Sequence, residues 1–418
     1  MKITVSKSSK DFKTTINFRF DLEDDDKQSA ISFNAGNKAI SLTTNTCNFY
    51  FPFDIALPHP DLCCMAALKI ISPYIGSKLT MNRPISVDFA NAVKTIYPNI
   101  KSVVVDNTLP ARHSFSKERI AVSFSGGADS LAVANLCEPG TPLILSARRF
   151  HPEIGKFESW YNTEANKQTL QSMSDNFVKI CVESDFEFLS TNGSYCIYPD
   201  KYSFTIPSIL LAEHLDLNGI FVGDMLAAFT NDERAPYSLV NFKKIDRYYQ
   251  TVGLRLESPI MGVTEIGTEM INQYFNNSDI STTCQYGSFK KPCYQCIKCF
   301  RKTFIKSWLS NTPVDYAILK KLNNSNAVKQ YLESGSSFPR TMALVLQNFE
   351  DHSFPTIFSL KQKLNSKPLS TSMMNKILLD PYLTNNNSSN TLNKCLFKLL
   401  KIFNITTNKE FQIIKNNE

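Results

Sequence analysis

The stretch from Arg119 to Ser130 changes from an apolar run into a loop of small residues and then into a helix-like segment. Gly126 and Gly127 have no Cβ atom, so the backbone can turn tightly there and direct successive N–H groups toward one point. Asp129 and Ser130 begin the helix, whose N-terminus faces the same point and favours an anion. The stretch therefore predicts a site for an oligophosphate. A helix-capping turn is the alternative, because Ser, Asp and Gly are also preferred at caps.

A second group of reactive side chains is a cluster of cysteines spaced C-x8-C-x2-C-x2-C. Its members are Cys284, Cys293, Cys296 and Cys299. Four thiolates at this spacing can surround a tetrahedral zinc ion, and neighbouring cations would offset their charge. Those cations are Lys290, Lys291, Lys298, Arg301 and Lys302. Disulfides fit less well, since the sequence shows no secretory signal and the other cysteines are scattered as in a reduced cytosolic protein. An iron-sulfur cluster stays open as an alternative.

The phosphate loop lacks the Gly-Lys-Ser/Thr ending of a Walker A motif. It instead resembles the Ser-Gly-Gly-x-Asp-Ser signature of the PP-loop ATP pyrophosphatases, which cleave ATP between the α- and β-phosphates. The matching positions are Ser125, Gly126, Gly127, Asp129 and Ser130, and Ser123 lies in the strand-like run before them. The resemblance implies that these residues bind ATP with Mg²⁺ and hold the departing pyrophosphate, and that Asp129 takes part in catalysis.

The order of the two motifs narrows the resemblance to 7-cyano-7-deazaguanine synthase and its QueC-like relatives, over about residues 118–305. Gly223 and Asp224 follow a later strand-like run and are expected at the nucleotide site. Asp232 and Arg234 stand where the synthases carry a Pro-Asp-Cys-Arg element, so the resemblance implies catalytic roles for both. Ser258–Met261 resembles the Pro-Leu-Ile segment of the synthases. Thr264 and Glu265, however, do not match the lysine and glutamate that usually follow this segment in the family. The resemblance therefore does not fix the substrate.

The coarse pattern predicts an α/β fold with three parts. Residues 1–117 show strand-like alternation at Ile16, Phe18, Phe20 and Leu22, which indicates a β-rich accessory domain. Residues 118–309 alternate strand-like runs with amphipathic segments, which is typical of a parallel sheet with crossover helices. This part is expected to be the PP-loop, adenine nucleotide alpha hydrolase-like domain with the zinc site. Residues 310–418 have helical spacing and are expected to form a C-terminal extension.

Composition limits the class of protein. With 418 residues, of which 43% are hydrophobic, the chain can bury a full core. No apolar run approaches the ~20 residues that span a bilayer, so we expect no membrane partner and a cytoplasmic location. The net charge of +7 permits contact with nucleic acid without indicating it. A homodimer is compatible with the sequence.

These features predict an ATP-dependent carbon–nitrogen ligase that forms AMP and pyrophosphate. A carboxylate or amide oxygen of the substrate would be adenylated, and a nitrogen nucleophile would then displace AMP. The substrate is expected to be of the deazaguanine type or a macromolecule, as in a bacterial defence system. The alternatives are a PP-loop sulfur transferase or sugar amidotransferase, and a non-catalytic nucleotide-binding module.

Overall fold

The computed structural model describes residues 1–32, 38–151, 162–193, 196–225, 239–284, 286–334, 339–347, 349–365 and 389–403. The strands of this part of the chain are, in order, β1 (Lys2–Lys10), β2 (Lys13–Asp21), β3 (Ser29–Ser32), β4 (Lys38–Leu42), β5 (Thr46–Phe51), β6 (Lys78–Met81), β7 (Ser102–Val103), β8 (Ile120–Ser123), β9 (Pro142–Arg148), β10 (Val178–Ser184), β11 (Ser190–Thr191), β12 (Gly219–Phe221) and β13 (Arg255–Glu257). The helices are α1 (Pro60–Ile71), α2 (Val87–Ile96), α3 (Ala128–Leu136), α4 (Thr163–Ser172), α5 (Ile206–Leu210), α6 (Leu239–Gln250), α7 (Glu265–Tyr274), α8 (Ile297–Ser310), α9 (Tyr316–Asn324), α10 (Asn326–Ser334), α11 (Pro339–Val345), α12 (Pro355–Asn365) and α13 (Asn390–Ile402).

A ten-stranded sheet forms the centre of the molecule, with the strand order β13-β12-β8-β9-β10-β5-β2-β1-β6-β7. The five strands from β13 to β10 are parallel to one another. Residues of β8 and most of β9 are buried, as expected for parallel strands that are covered on both faces. The predicted mixed α/β class with a large, mostly parallel sheet is confirmed.

The N-terminal strands continue this sheet. β5 pairs antiparallel with β10 through Tyr50 and Phe49, and β2 and β1 follow in antiparallel order. In β2 the predicted alternation holds for Ile16, Phe18 and Phe20, which are buried, whereas Leu22 lies beyond the strand and is exposed. A three-stranded antiparallel sheet, β11-β4-β3, lies beside the large one. Strands from both sides of residue 117 thus belong to one sheet. The division of the chain into three domains stays a prediction.

Helices cover both faces of the sheet. On one face, α1, α5 and α6 share a hydrophobic cluster with the N-terminal strands and with the inward side chains of β8 to β12. On the other face, α3, α7 and α13 pack on Val122, Leu143 and Phe221. The C-terminal helices α8 to α12 form a third cluster with the cysteine-rich segment. No helix in the described ranges combines the length and hydrophobicity needed to cross a bilayer.

The strand order contains one reversal that matters for function. From β8 the chain moves to β9 and β10 on one side, and later returns to β12 and β13 on the other side of β8. In open parallel sheets, ligands bind in the crevice at the carboxyl ends of the strands where such a reversal occurs. The fold therefore directs attention to the loops that follow β8 and β12.

Replacing Phe49 by alanine tests whether the N-terminal strands fold as one unit with the parallel strands. Phe49 is fully buried, and its ring contacts those of Phe18 and, from the turn after β10, Phe186. We expect Phe49→Ala to lower the free energy of unfolding by about 3–5 kcal/mol, with a single cooperative transition in denaturant. Phe12→Ala, at a side chain that is 91% exposed, is the control and should change it by less than about 0.5 kcal/mol. Two separate transitions, only one of them shifted, would contradict a shared core.

Candidate functional site

The loop between β8 and α3 is held by contacts of its own small residues. The Ser125 backbone N–H donates to Ser130 Oγ at 3.1 Å, and the two hydroxyls lie 3.0 Å apart. Gly126 has φ +76°, the left-handed region that favours glycine. Its carbonyl accepts from the Thr282 N–H at 2.8 Å. Gly127 is the N-cap of α3, and no side chain caps that helix. The first N–H groups of α3 are therefore directed at the space beyond the loop.

Two glycines allow the backbone to pack closely around this loop. A Cβ atom on Gly223, just after β12, would lie 2.9 Å from the backbone nitrogen of Ser130 and 3.1 Å from the carbonyl carbon of Asp129. A Cβ atom on Gly126 would lie 3.3 Å from Cβ of Thr169 on α4. The loop after β8 is thus held between the end of β12 and α4, at the reversal of the strand order.

A cleft of about 330 Å³ opens at this point. Its volume falls at the lower end of the range for small-molecule sites. Seven of the residues that the sequence assigned to nucleotide binding line it: Ser123, Ser125, Gly127, Asp129, Ser130, Gly223 and Asp224. Gly126 shapes the turn behind the cleft. The two remaining predicted positions, Asp232 and Arg234, lie outside the described residues.

Asp129 lies on the first turn of α3 and is partly exposed to the cleft. Its Oδ1 atom is buried and accepts no hydrogen bond from the described residues. Burial raises the pKa of this carboxyl, while the nearby charge of Lys302 and a hydrogen bond with Thr268 act in the opposite direction. An acceptor that has no partner in the described part of the chain is suited to a cation or to a donor on a ligand.

Asp224 is fixed from the side of α5. Its Oδ2 atom accepts hydrogen bonds from the Tyr202 hydroxyl at 2.5 Å and from Lys201 Nζ at 2.9 Å. Its backbone carbonyl accepts from the Ser258 hydroxyl at 2.6 Å, which ties the segment after β12 to that after β13. The carboxylate thus reaches the cleft in one defined orientation.

The opposite wall of the cleft combines an ion pair with rings. Arg148, at the end of β9, pairs with Glu187, and both side chains are largely shielded from solvent. Tyr198 and Phe204 line the cleft beside them. His151, three residues after the end of β9, is buried near Thr46 of β5, with 3.4 Å between Nε2 and Oγ1.

The four cysteines of the second motif converge. Their sulfur atoms all lie within 4.8 Å of one another, and those of Cys293 and Cys299 are 3.8 Å apart. A tetrahedral zinc site with Zn–S bonds of ~2.3 Å has edges of about 3.8 Å, so the four thiols can bind a metal such as zinc. All eleven cysteines are free, and disulfides are excluded for this cluster.

Backbone N–H groups surround these sulfurs. Cys284 Sγ accepts from Gly287 N at 3.0 Å and from Cys293 N at 3.2 Å, and Cys296 Sγ accepts from Cys299 N at 3.4 Å. The last contact makes Cys296 the N-cap of α8, so the helix N-terminus also faces the thiolates. Lys290 adopts a left-handed conformation in the same knuckle. This arrangement supplies the electrostatic compensation that four thiolates require.

The cations that follow the cysteines have a different role from the one predicted. Arg301 Nε lies 3.0 Å from Glu265, and Lys302 Nζ lies 3.0 Å from Glu269 and 3.5 Å from Glu265. Burial favours the neutral form of Glu265, but Arg301 and Lys302 outweigh it and lower the pKa of this carboxyl. These two cations therefore neutralise carboxylates of α7.

Sequence reasoning missed several residues of the cleft. Arg148, Glu187 and Tyr198 carry no motif, and no local signal could have identified them. Lys298 also lines the cleft. Its signal was present in the sequence, since it lies between two predicted metal ligands, but it was counted among the cations that balance the thiolates.

Comparison with known proteins adds one finding. A family of unknown function, DUF6395, matches residues 244–416, well under half of the chain. The matched region includes the C-terminal part of α6, the cysteine cluster and the C-terminal helices, but neither the loop after β8 nor Asp224. No curated protein matches the sequence.

Adding a methyl group at Gly223 tests the close packing between β12 and α3. We expect Gly223→Ala to lower the free energy of unfolding by about 1–3 kcal/mol, because the new Cβ displaces the first turn of α3. Gly127→Ala is the matched control for stability, since its Cβ would meet only the Ser125 hydroxyl, at 3.4 Å. Chemical denaturation measures both variants. Equal losses of unfolding free energy in the two variants would contradict the importance of the close contact at Gly223.

The cysteine cluster predicts one zinc ion per chain. We expect Cys296→Ser to lower both the metal content and the melting temperature, since a tetrahedral thiolate site contributes directly to folding. Cys181→Ser, outside the cluster, should leave the metal content unchanged. Elemental analysis and a visible absorption spectrum are the measurements. Detection of iron with acid-labile sulfide would contradict the zinc prediction and would identify the site as an iron-sulfur cluster.

Proposed function

We propose that this protein is an ATP pyrophosphatase that adenylates its substrate. The observation that carries the proposal is the cleft at the reversal of the strand order, where the Ser125–Ser130 loop and the N-terminus of α3 face Gly223 and Asp224. Backbone N–H groups at such a position favour an oligophosphate. With no lysine at the end of the loop, the site is better suited to transfer of AMP than to transfer of the γ-phosphate.

In the proposed reaction, a carboxylate or amide oxygen of the substrate attacks the α-phosphorus of ATP. The bond between the α-phosphorus and the bridging oxygen breaks, and pyrophosphate leaves toward the N–H groups of the loop and of α3. A nitrogen nucleophile then attacks the activated carbon, loses a proton, and displaces AMP. The chain would therefore act as a carbon–nitrogen ligase.

Mg²⁺ would neutralise the phosphate oxygens during this step. Asp129, with its unpartnered Oδ1, and Asp224 are the described carboxylates that would hold it, and Asp232 would add a third. In the same proposal Arg234 would contact the phosphates as AMP is transferred. Zinc at the four cysteines would be structural, because four thiolates leave no open position for a reactant.

The substrate end of the cleft would be its ring-lined wall. Leu145, Tyr198 and Phe204 offer flat apolar surface, and the Arg148–Glu187 pair offers polar contacts at its edge. This supports a planar ring such as adenine or a deazaguanine-type base. A macromolecular acid or amide, as expected for an enzyme of a bacterial defence system, is the other substrate class within the proposal. We place the protein in the cytoplasm, where its eleven free thiols would stay reduced.

One observation bears on sulfur transfer, the leading alternative. Among the described residues that line the cleft there is no cysteine. Cys196, the nearest along the chain to Tyr198, has its pKa raised to about 12 by burial, which disfavours the thiolate that such chemistry needs. Amide or nitrile formation is therefore favoured over sulfur transfer through a cysteine of this chain.

Removing the Asp129 carboxylate tests the proposed reaction. We expect Asp129→Ala to lower the formation of AMP and pyrophosphate from ATP by about 100-fold or more. The variant should remain folded, because Oδ1 has no hydrogen-bond partner among the described residues and Lys302 keeps its ion pairs with Glu265 and Glu269. The assay incubates α-labelled ATP and Mg²⁺ with a metabolite extract and separates AMP from ADP. Asp175→Ala, at an exposed side chain, is the control. Formation of ADP by the unmodified protein, or unchanged AMP formation by Asp129→Ala, would contradict the proposal.

A further inference from the structure

Lys298 belongs to the cysteine cluster by its position in the sequence and to the cleft by the position of its side chain. It is on the first turn of α8, between the metal-site residues Cys296 and Cys299, and its side chain lines the cleft together with Ser125 and Asp129. Its positive charge is close enough to Asp129 to act on the pKa of that carboxyl in the lowering direction. The cysteine knuckle thus delivers a cation to the space in front of the phosphate loop.

The helix end that carries Lys298 favours negative charge, because the N-terminus of a helix carries partial positive charge. The first turn of α8 contains no acidic residue, and the thiolates of the cysteine cluster face this helix end instead. An anion bound in the cleft would face the same helix end and the Lys298 side chain.

Further contacts fix α8 relative to the loop. Arg301 and Lys302 of α8 pair with Glu265 and Glu269 of α7 in a largely buried network. From the same helix α7, Asn272 Nδ2 donates to the Ala128 carbonyl, at the start of α3, at 2.9 Å. The start of α8 is therefore tied to the phosphate loop on one side and to the cysteine cluster on the other.

We propose that Lys298 contacts the oligophosphate, and that the metal-bound cysteine knuckle positions it to do so. The inference rests on the proposed function for the nature of the ligand. The cysteine cluster would then support nucleotide binding as well as folding. Metal binding and nucleotide binding would both stabilise the same position of α8. The two binding events are coupled and each strengthens the other by the same factor.

The first test measures binding of α,β-methylene-ATP, which cannot be cleaved at the relevant bond, by calorimetry with the zinc-loaded protein. We expect Lys298→Ala to weaken binding by about 10- to 100-fold, the value of a charge-assisted hydrogen bond. Lys298→Arg should retain most of the affinity. Lys291→Ala removes an exposed lysine from the same knuckle and should change the affinity by less than about twofold. Metal content and melting temperature of all three variants should match those of the unmodified protein.

The second test measures the coupling. Zinc is distributed at equilibrium between the protein and a chelator of known affinity, with and without saturating α,β-methylene-ATP. The nucleotide should raise the zinc affinity of the unmodified protein and of Lys291→Ala, and should have no effect on that of Lys298→Ala. This design begins from folded, zinc-loaded protein.

The outcomes separate this inference from the function on which it rests. If the unmodified protein binds no nucleotide, the proposed function fails and the inference fails with it. If it binds nucleotide and Lys298→Ala binds equally well, the inference alone is overturned. If Lys298→Ala binds weakly but zinc affinity does not respond to nucleotide in any variant, Lys298 contacts the phosphates and the positioning by the knuckle is refuted.

Discussion

The close approach of the end of β12 to the first turn of α3 is the constraint on which the cleft depends. At Gly223 there is no room for a Cβ atom, because the backbone of Asp129 and Ser130 occupies the space where it would lie. Close-packed backbones of this kind cannot shift independently. The loop after β8, the helix that follows it and the segment that carries Asp224 therefore have one mutual arrangement, and the cleft takes its shape from it.

Buried charge is the second organising feature. Lys302 and Arg301 pair with the carboxylates of α7 close to the loop after β8, and a buried ion is tolerated only when it is paired. The pKa of Lys302 is shifted downward by burial, but Glu269, Glu265 and Asp129 outweigh this and raise it, so that the side chain stays charged. The network holds α8 against α7 and connects the cysteine cluster with the cleft through charge as well as through packing.

The N-terminal segment is connected to the cleft through helix α1. Lys69 of α1 is buried, pairs with Asp200 at 3.1 Å, and lies 5.9 Å from the ring centre of Tyr202. Tyr202 in turn donates its hydroxyl to Asp224. A chain of contacts thus runs from α1 to a carboxylate of the cleft. The N-terminal segment also shares a sheet and a hydrophobic core with the parallel strands.

The sequence by itself determined the features that depend on local geometry. Gly126 needs a left-handed backbone, cysteines at this spacing can share one metal, and the alternation at Ile16, Phe18 and Phe20 selects one face of a strand. Only the tertiary structure decided which residues these elements contact. The pairing of β5 with β10, the ion pair of Arg148 with Glu187 and the exposure of Lys298 to the cleft join residues far apart in the chain. A lysine between two cysteines has the same local pattern whether it faces solvent or a cleft, and only strand order and helix packing decide between the two.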